Sequence, residues 1–200
     1  MTLEDQPAFA HELPPDPVDV SADPALPEKI RRLGNEQPFG VLCTQGGGES
    51  YGSLVAFAFS ADLRSVVFAT SVATRKYRLL TECDHVALVI DNRPQHPEDL
   101  MEIEVLTVTG RAREIERGEA RSRYAERLVS RHPYLRSFVE SASCALFLVD
   151  VVRCVHVARF QEVGQWVPPT PSVIRLTEAD ALEGARVGGT GTTCLEGMLR

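Results

Sequence analysis

The chain has 200 residues, 44% of them hydrophobic and 24% charged, with a formal net charge of −7. That length and mix describe one globular domain with a sizeable core, and no apolar run reaches the roughly 18 residues of a membrane-spanning helix. The acids among residues 1–28, where no Lys or Arg stands, carry the whole net charge; the rest of the chain is balanced, which leaves no electrostatic footprint for nucleic acid.

In chain order, residues 1–27 place Pro7, Pro14, Pro15, Pro17, Pro24 and Pro27 among acids. Such a segment buries too little to offset its ordering entropy and reads as a flexible acidic arm. Pro27 to Asn35 reads as a short amphipathic helix with Ile30 and Leu33 on one side, and Phe39 to Thr44 as a strand. Gly46-Gly47-Gly48 permits a tight reversal, because glycine reaches positive φ without cost, and Tyr51 to Ser60 returns as a second strand. Asp62-Leu63-Arg64 turns the chain into a third strand, Ser65 to Thr70. A helix over 73–82 follows, then a fourth strand from His85 to Asp91 and a loop from Asn92 to Asp99 with two prolines. Glu104 to Ile115 is a long strand, Glu119 to Arg131 an exposed helix with a solvated Glu/Arg face, and Tyr134 to Glu140 a short helix. Cys144 to Phe160 is another long strand and Val163 to Val167 a short one. Residues 168–200 form a C-terminal extension, flexible around Gly188-Gly189-Thr190-Gly191.

A meandering antiparallel sheet of this size escapes exposed edges by closing into a barrel. Val66-Val67-Phe68-Ala69 and Val86-Ala87-Leu88-Val89-Ile90 contain no polar residue, so both faces of these strands need cover, one from the interior and one from a helix or a second subunit.

The five cysteines are odd in number and hold no CxxC pair. Cys43, Cys144 and Cys154 read as small core residues and Cys83 as an inert thiol. His11, His85, His96, His132 and His156 lack metal-ligand spacing, so no metal site is expected. The N-terminus shows no basic region followed by an apolar stretch, and a reducing cytoplasmic location is expected.

The densest chemistry lies in Phe68-Ala69-Thr70-Ser71-Val72-Ala73-Thr74-Arg75-Lys76-Tyr77. A buried strand ends at Thr70 and a helix begins near Thr74, so unpaired backbone N–H groups meet the hydroxyls of Thr70, Ser71 and Thr74. Arg75 adds a planar donor, and Lys76 is one of only two lysines, with Lys29. Two readings fit these residues alone: a phosphate-binding site, or a threonine-capped helix whose basic side chains are simply solvated.

The surroundings of this segment carry a resemblance. Gly40-Val41-Leu42-Cys43-Thr44 leads through the glycine hairpin to Tyr51-Gly52-Ser53-Leu54-Val55. After Thr74-Arg75-Lys76 come Val86-Ala87-Leu88-Val89-Ile90-Asp91-Asn92-Arg93 and then Thr107-Val108-Thr109-Gly110-Arg111-Ala112. In order and spacing, residues 28–167 resemble the FMN-binding split-barrel family, the pyridoxamine 5′-phosphate oxidase-like proteins. The resemblance implies a mainly β fold with flanking helices, a six-stranded antiparallel split β-barrel. It also implies a homodimer, with FMN in each groove at the subunit interface.

By the same resemblance Thr74, Arg75 and Lys76 hold the FMN phosphate, with Thr70 and Ser71 nearby. Ser53, Leu54 and Val55 line the flavin ring, and Gly52 lets the backbone approach it. Asn92 and Arg93 reach cofactor or partner subunit, and Trp166 covers the flavin or packs in the dimer interface. The family's vitamin B6 oxidases end in Arg-Leu-x-Pro, whereas this chain ends Gly197-Met198-Leu199-Arg200, which argues against that activity. Its haem-utilisation members carry histidine where Lys76 stands, which favours flavin over haem.

The expected activity is an FMN-dependent oxidoreductase acting on a small-molecule substrate or electron partner, with no nucleic acid or membrane partner and no assigned catalytic residue. The alternatives are a flavin-binding carrier or sensor without turnover, or the same fold holding deazaflavin F420 or haem.

Overall fold

The computed structural model describes residues 23–159 and 162–169. The expected arm up to residue 22, Phe160, and the expected tail from residue 170 lie outside them. The chain divides into two compact units, Met1–Pro168 and Pro169–Arg200, of which the second, save Pro169, is likewise outside the described residues.

The first helix, α1 (Leu26–Glu36), opens with proline in its first turn, where the missing N–H costs nothing. Asp23 secures it, accepting from the Ala25 amide at 2.9 Å and from Lys29 Nζ at 2.8 Å. Strands β1 (Phe39–Gly46) and β2 (Glu49–Phe59) form the expected hairpin. Gly47 and Gly48 sit at φ +59° and +81°, so the two-residue turn needs glycine for its dihedrals, while a Cβ at either would meet nothing within 4 Å. Then come β3 (Ser65–Ser71), α2 (Arg75–Glu82) and β4 (His85–Asp91). After a loop of two 3-10 turns follow β5 (Val105–Glu114), α3 (Glu119–Arg131), α4 (Arg136–Glu140), β6 (Cys144–Ala158) and β7 (Glu162–Trp166).

The strands run in the order β3-β2-β1-β4-β5-β6, all antiparallel, and a β3–β6 pairing closes six of them into a barrel. Strand β6 makes closure possible by being 15 residues long. Its first half, Cys144 to Asp150, pairs with β3, and beyond that β7 takes over the same edge, from Cys154↔Trp166 to Ala158↔Glu162. Where β5 crosses β6 the register slips between Thr109 and Gly110, and a Cβ on Gly110 would stand 2.5 Å from the Asp150 carbonyl oxygen. Glycine is required there for the close approach of two backbones.

Leu42, Phe57, Val66, Phe68, Leu88, Ile90, Leu106, Val108 and Phe147 fill the barrel, and Ile30 and Leu33 of α1 join the same cluster. A second cluster lies outside it. Val67 of β3 and Leu146 and Leu148 of β6 are covered by Leu128 and Val129 of α3 and Val139 of α4. This corrects the reading of the Glu119–Arg131 helix as a purely solvated face. Two apolar residues in its last turns dock on the barrel, and Arg121 donates to the carbonyls of Val139 (3.3 Å) and Cys144 (3.0 Å). The outer face of β3 thus finds its cover within the chain. Strand β4 differs: outward-facing Ala87 and Val89 stay half-buried. No helix among the described residues is long and apolar enough to cross a membrane.

A charged network fastens α1 to the sheet. Arg32 donates to both Glu104 oxygens at 2.6 and 2.8 Å, and buried His156 donates from Nε2 to Glu104 Oε2 at 2.8 Å. Burial pushes the Glu104 carboxyl up, but the hydrogen bonds from Arg32 and His156 outweigh it and hold the group below its ordinary range. A carboxyl depressed on folding contributes stability above its unfolded pKa, about 4.3, and that contribution is lost as pH falls through the folded value. Glu104→Gln is therefore expected to flatten the acid limb of a stability-versus-pH profile measured by urea melts. Leu128→Ala is expected to cost about 2–5 kcal/mol in the same assay, as for other leucines emptied from a closed core.

Candidate functional site

Strands β2 and β3 pair only over Phe57↔Phe68, Ala58↔Val67 and Phe59↔Val66. Further along, β3 stays paired with β6 as far as Ser71↔Cys144, while β2 stays paired with β1 back to Glu49. The two strands part, and the start of α2 stands at the parting.

Thr74 is the N-cap of α2, and its hydroxyl accepts from the Tyr77 amide at 3.2 Å while donating to the Ser71 carbonyl at 2.8 Å. A hydroxyl has one hydrogen, so in the 3.0 Å contact between the hydroxyls of Thr70 and Thr74 it is Thr70 that donates. Ser71 Oγ accepts from the Ala73 amide at 3.2 Å. These three hydroxyls build the loop. The amides of Arg75 and Lys76, in the first turn of α2, have no carbonyl within the helix to bond.

Two basic side chains reach from this loop back to β2. Lys76 Nζ donates to the Leu54 carbonyl at 3.4 Å, and burial pushes its amine pKa down. The Arg75 guanidinium lies 5.1 Å from the centre of the Tyr51 ring and pairs with the Glu49 carboxylate. Ser53, also on β2, carries a buried hydroxyl oxygen with no hydrogen-bond partner. An unsatisfied buried hydroxyl costs about 1–3 kcal/mol, so a ligand that bonded it would recover that. The cleft offers a cation pair, free first-turn amides, an orphan hydroxyl, an aromatic ring and the 65% exposed side chain of Leu54. That donor set fits a planar ligand bearing a phosphate or carboxylate.

Of the residues singled out from sequence, Gly52, Ser53, Leu54, Thr70, Ser71, Thr74, Arg75 and Lys76 meet here. Val55 sits beside them, but its side chain belongs to the barrel core, so only its backbone is available to a ligand. The remaining three do not join the cluster within one chain. Asn92 spends its amide on its own loop, donating to the Glu102 carbonyl at 3.3 Å and accepting from the Glu104 amide at 2.7 Å. Arg93 pairs with Asp91, Nε to Oδ1 at 2.6 Å. Trp166 packs against the main core from β7, at the opposite end of the strand order from β2. Glu49 and Tyr51 were missed. The signal for Tyr51 was its parity: it shares a strand face with Ser53 and Val55.

The pyridoxamine 5′-phosphate oxidase family model matches residues 26–155, from the start of α1 into the second half of β6. The chain belongs to this family. Its fold recurs in a haem-binding protein of Mycobacterium smegmatis, at 17% identity and a TM-score of 0.64, over 78% of this chain and 59% of that one. It recurs in a haem storage protein of Vibrio cholerae (17% identity, TM-score 0.56, 70% of this chain and 92% of that one). A third likeness is a FAD-binding protein of Mesorhizobium loti (14% identity, TM-score 0.53, 64% of this chain and 91% of that one). No curated protein matches in sequence.

Thr74→Ala is expected to cost about 0.5–2 kcal/mol in urea melts, the usual worth of an N-cap, with Thr74→Ser retaining most of it.

Proposed function

We propose that the chain is an FMN-binding flavoprotein and that its cofactor sits in the split between β2 and α2. The observation that carries this reading is the pair Arg75 and Lys76, both drawn across the split to β2 beside the unsatisfied hydroxyl of Ser53. Arg75, Lys76 and the first-turn amides of α2 hold the phosphate. Ser53 bonds a polar edge of the ring system, Tyr51 on the same face of β2 offers it an aromatic surface, and Leu54 borders it from the outer face. When bound, FMN supplies the electron transfer to a small substrate or redox partner, and the residues around it bind, orient and exclude water. No side chain here is required as a general base. A carrier without turnover uses the same contacts, and a turnover assay with nicotinamide cofactors and candidate acceptors separates the two.

The second reading is haem, favoured by the haem-binding names among the structural likenesses. Its carboxylates suit the same cations. Among the described residues, however, the histidines lie elsewhere: His85 beyond the far end of α2, His96 in the loop after β4, His132 against the Phe57 carbonyl, and His156 on Glu104. An iron ligand in this cleft falls to Tyr51 or Lys76, which makes flavin the better fit.

We further propose that the working unit is a homodimer formed through the outer sheet face. Leu54, Val41, Val89, Thr107 and Val155 stand in one register row across β2, β1, β4, β5 and β6. Beside them run Cys43, Ala87 and Thr109. The face is uncharged over these eight positions and only half-buried or exposed, the composition of an interface core. Leu54 borders both this face and the split, so a second copy would wall the cofactor, and Arg93 and Trp166 would arrive from the partner.

The absorbance spectrum of purified protein, with the mass of the released cofactor, distinguishes FMN from F420 and haem. Arg75→Ala and Lys76→Ala are each expected to weaken FMN by about 1.5–3 kcal/mol, roughly ten- to a hundredfold, and to affect riboflavin much less. Equal losses for both ligands would sink the phosphate assignment. Mixing Lys76→Ala subunits with Arg93→Ala subunits is expected to restore one FMN site per heterodimer; no restoration would remove Arg93 from a shared site.

A further inference from the structure

At the other end of α2 the chain reads Cys83-Asp84-His85, and these three side chains converge. Their ligand atoms all lie within 4.8 Å of one another. We propose that they form a site for one divalent ion of borderline softness, with Zn2+ the best match, at the junction of α2 and β4. This site is separate from the cofactor cleft, some 12 Å away along the eight residues of α2.

Two of the three ligand separations are close to those around a bound ion. Cys83 Sγ stands 3.7 Å from His85 Nδ1, and Nδ1 stands 3.4 Å from Asp84 Oδ1. Tetrahedral zinc holds sulfur at about 2.3 Å and nitrogen or oxygen at about 2.0–2.2 Å, which sets neighbouring ligands roughly 3.3–3.6 Å apart. The Cys83–His85 and His85–Asp84 separations lie close to these values, and the Cys83–Asp84 pair, within 4.8 Å, would close by rotation of the exposed Asp84 side chain. Cys83 and His85 share a side because the backbone at Cys83, the C-cap of α2, is already extended (φ −144°, ψ 124°) as it enters β4. The Asp84 side chain turns back toward them and is 48% exposed, which leaves the ion an entry route.

The neighbours complete the environment. Gln45, near the end of β1, brings its amide nitrogen to 3.5 Å from Cys83 Sγ. Rotated by 180°, the same amide presents oxygen as a fourth ligand; unrotated, it donates to the thiolate and leaves the fourth position to water. Arg111, opposite His85 in the β4–β5 register, donates from one guanidinium nitrogen to Asp84 Oδ1 at 3.1 Å and Oδ2 at 3.0 Å. A carboxylate has lone pairs enough to keep that arginine and bind an ion, and such an outer partner fixes its orientation.

The donor set also selects the ion. Sulfur with imidazole excludes Mg2+ and Ca2+, which demand oxygen, and suits Zn2+ or Co2+. One thiolate and one carboxylate offset the 2+ charge of the ion, and Arg111 leaves the loaded cluster with one positive charge. Binding releases the Cys83 thiol proton to solvent and changes no oxidation state. Sequence spacing missed the site because metal motifs are recognised by ligands separated along the chain, and here three consecutive residues converge.

Full-length reduced protein, stripped with chelator and titrated with Co2+, tests this. The expected result is a thiolate-to-cobalt charge-transfer band that saturates at one ion per chain and is displaced by Zn2+. Cys83→Ser and His85→Gln are expected to abolish the band, with folding checked by circular dichroism. Cys43→Ser is expected to keep it. Should His85→Gln fail to fold, the wild-type and Cys83→Ser titrations decide. No band in the wild type, or an undiminished band in Cys83→Ser, would overturn the proposal.

Discussion

Strand β3 keeps β6 on one edge along its whole length but β2 on the other edge for only three positions, and the cleft depends on that difference. Seven consecutive positions, Ser65 to Ser71, pair with β6, against three with β2. The difference between the two edges follows from side-chain chemistry. β6 meets β3 along Cys144-Ala145-Leu146-Phe147-Leu148-Val149, buried on both faces, and Phe68 stacks on Phe147 with ring centres 5.5 Å apart. The first half of β2, from Glu49 to Leu54, is polar or exposed at every second position, so pairing it with β3 would bury less. Barrel closure on one edge of β3 and the open split on the other therefore both follow from where the apolar residues of its neighbours run.

Opening the split leaves a polar strand edge beside a helix start, and the electrostatics adapt to it. Lys76 answers the Leu54 carbonyl, and Arg75 is held between the Tyr51 ring and Glu49. The Glu49 carboxylate and the Arg75 guanidinium are both well exposed, and an exposed pair of this kind is worth little. An incoming phosphate can take Arg75 from Glu49 at small cost. Lys76, half-buried with its amine pushed down, gains more from an anion, because a buried ammonium next to one carbonyl is under-compensated. The two cations thus differ in role: Arg75 is exchangeable, and Lys76 is the one to which a ligand's charge matters most.

What could be read from sequence was local. The Gly47-Gly48 turn, the Thr74 cap, β4 at His85–Asp91 and α3 at Glu119–Arg131 each announce themselves by turn chemistry, capping or periodicity within a few residues. So did most of the cleft, because Thr70 to Lys76 are contiguous and the resemblance placed Gly52 to Val55 opposite them. The failures were matters of long-range pairing. Nothing local tells that β6 serves β3, β5 and β7 in turn, or that Leu128 and Val129 make the end of a charged helix a lid over β3. Asn92 looked available because it follows a strand; that its amide clasps residues ten and twelve positions on depends on how the intervening loop folds.

Helix α2 carries the consequences of both ends of this arrangement. Its N-terminus supplies the cations of the split, and its C-terminus delivers Cys83 to His85 beside Gln45 of β1. Between them Leu79 and Leu80 are buried, and Gly46 passes so close that a Cβ there would lie 2.6 Å from the Leu79 side chain. An eight-residue helix is too short to be stable alone, so its position is set by these attachments. The charged end of the cleft is thus held by the Thr74 cap and by the burial of Leu79 and Leu80 against the barrel.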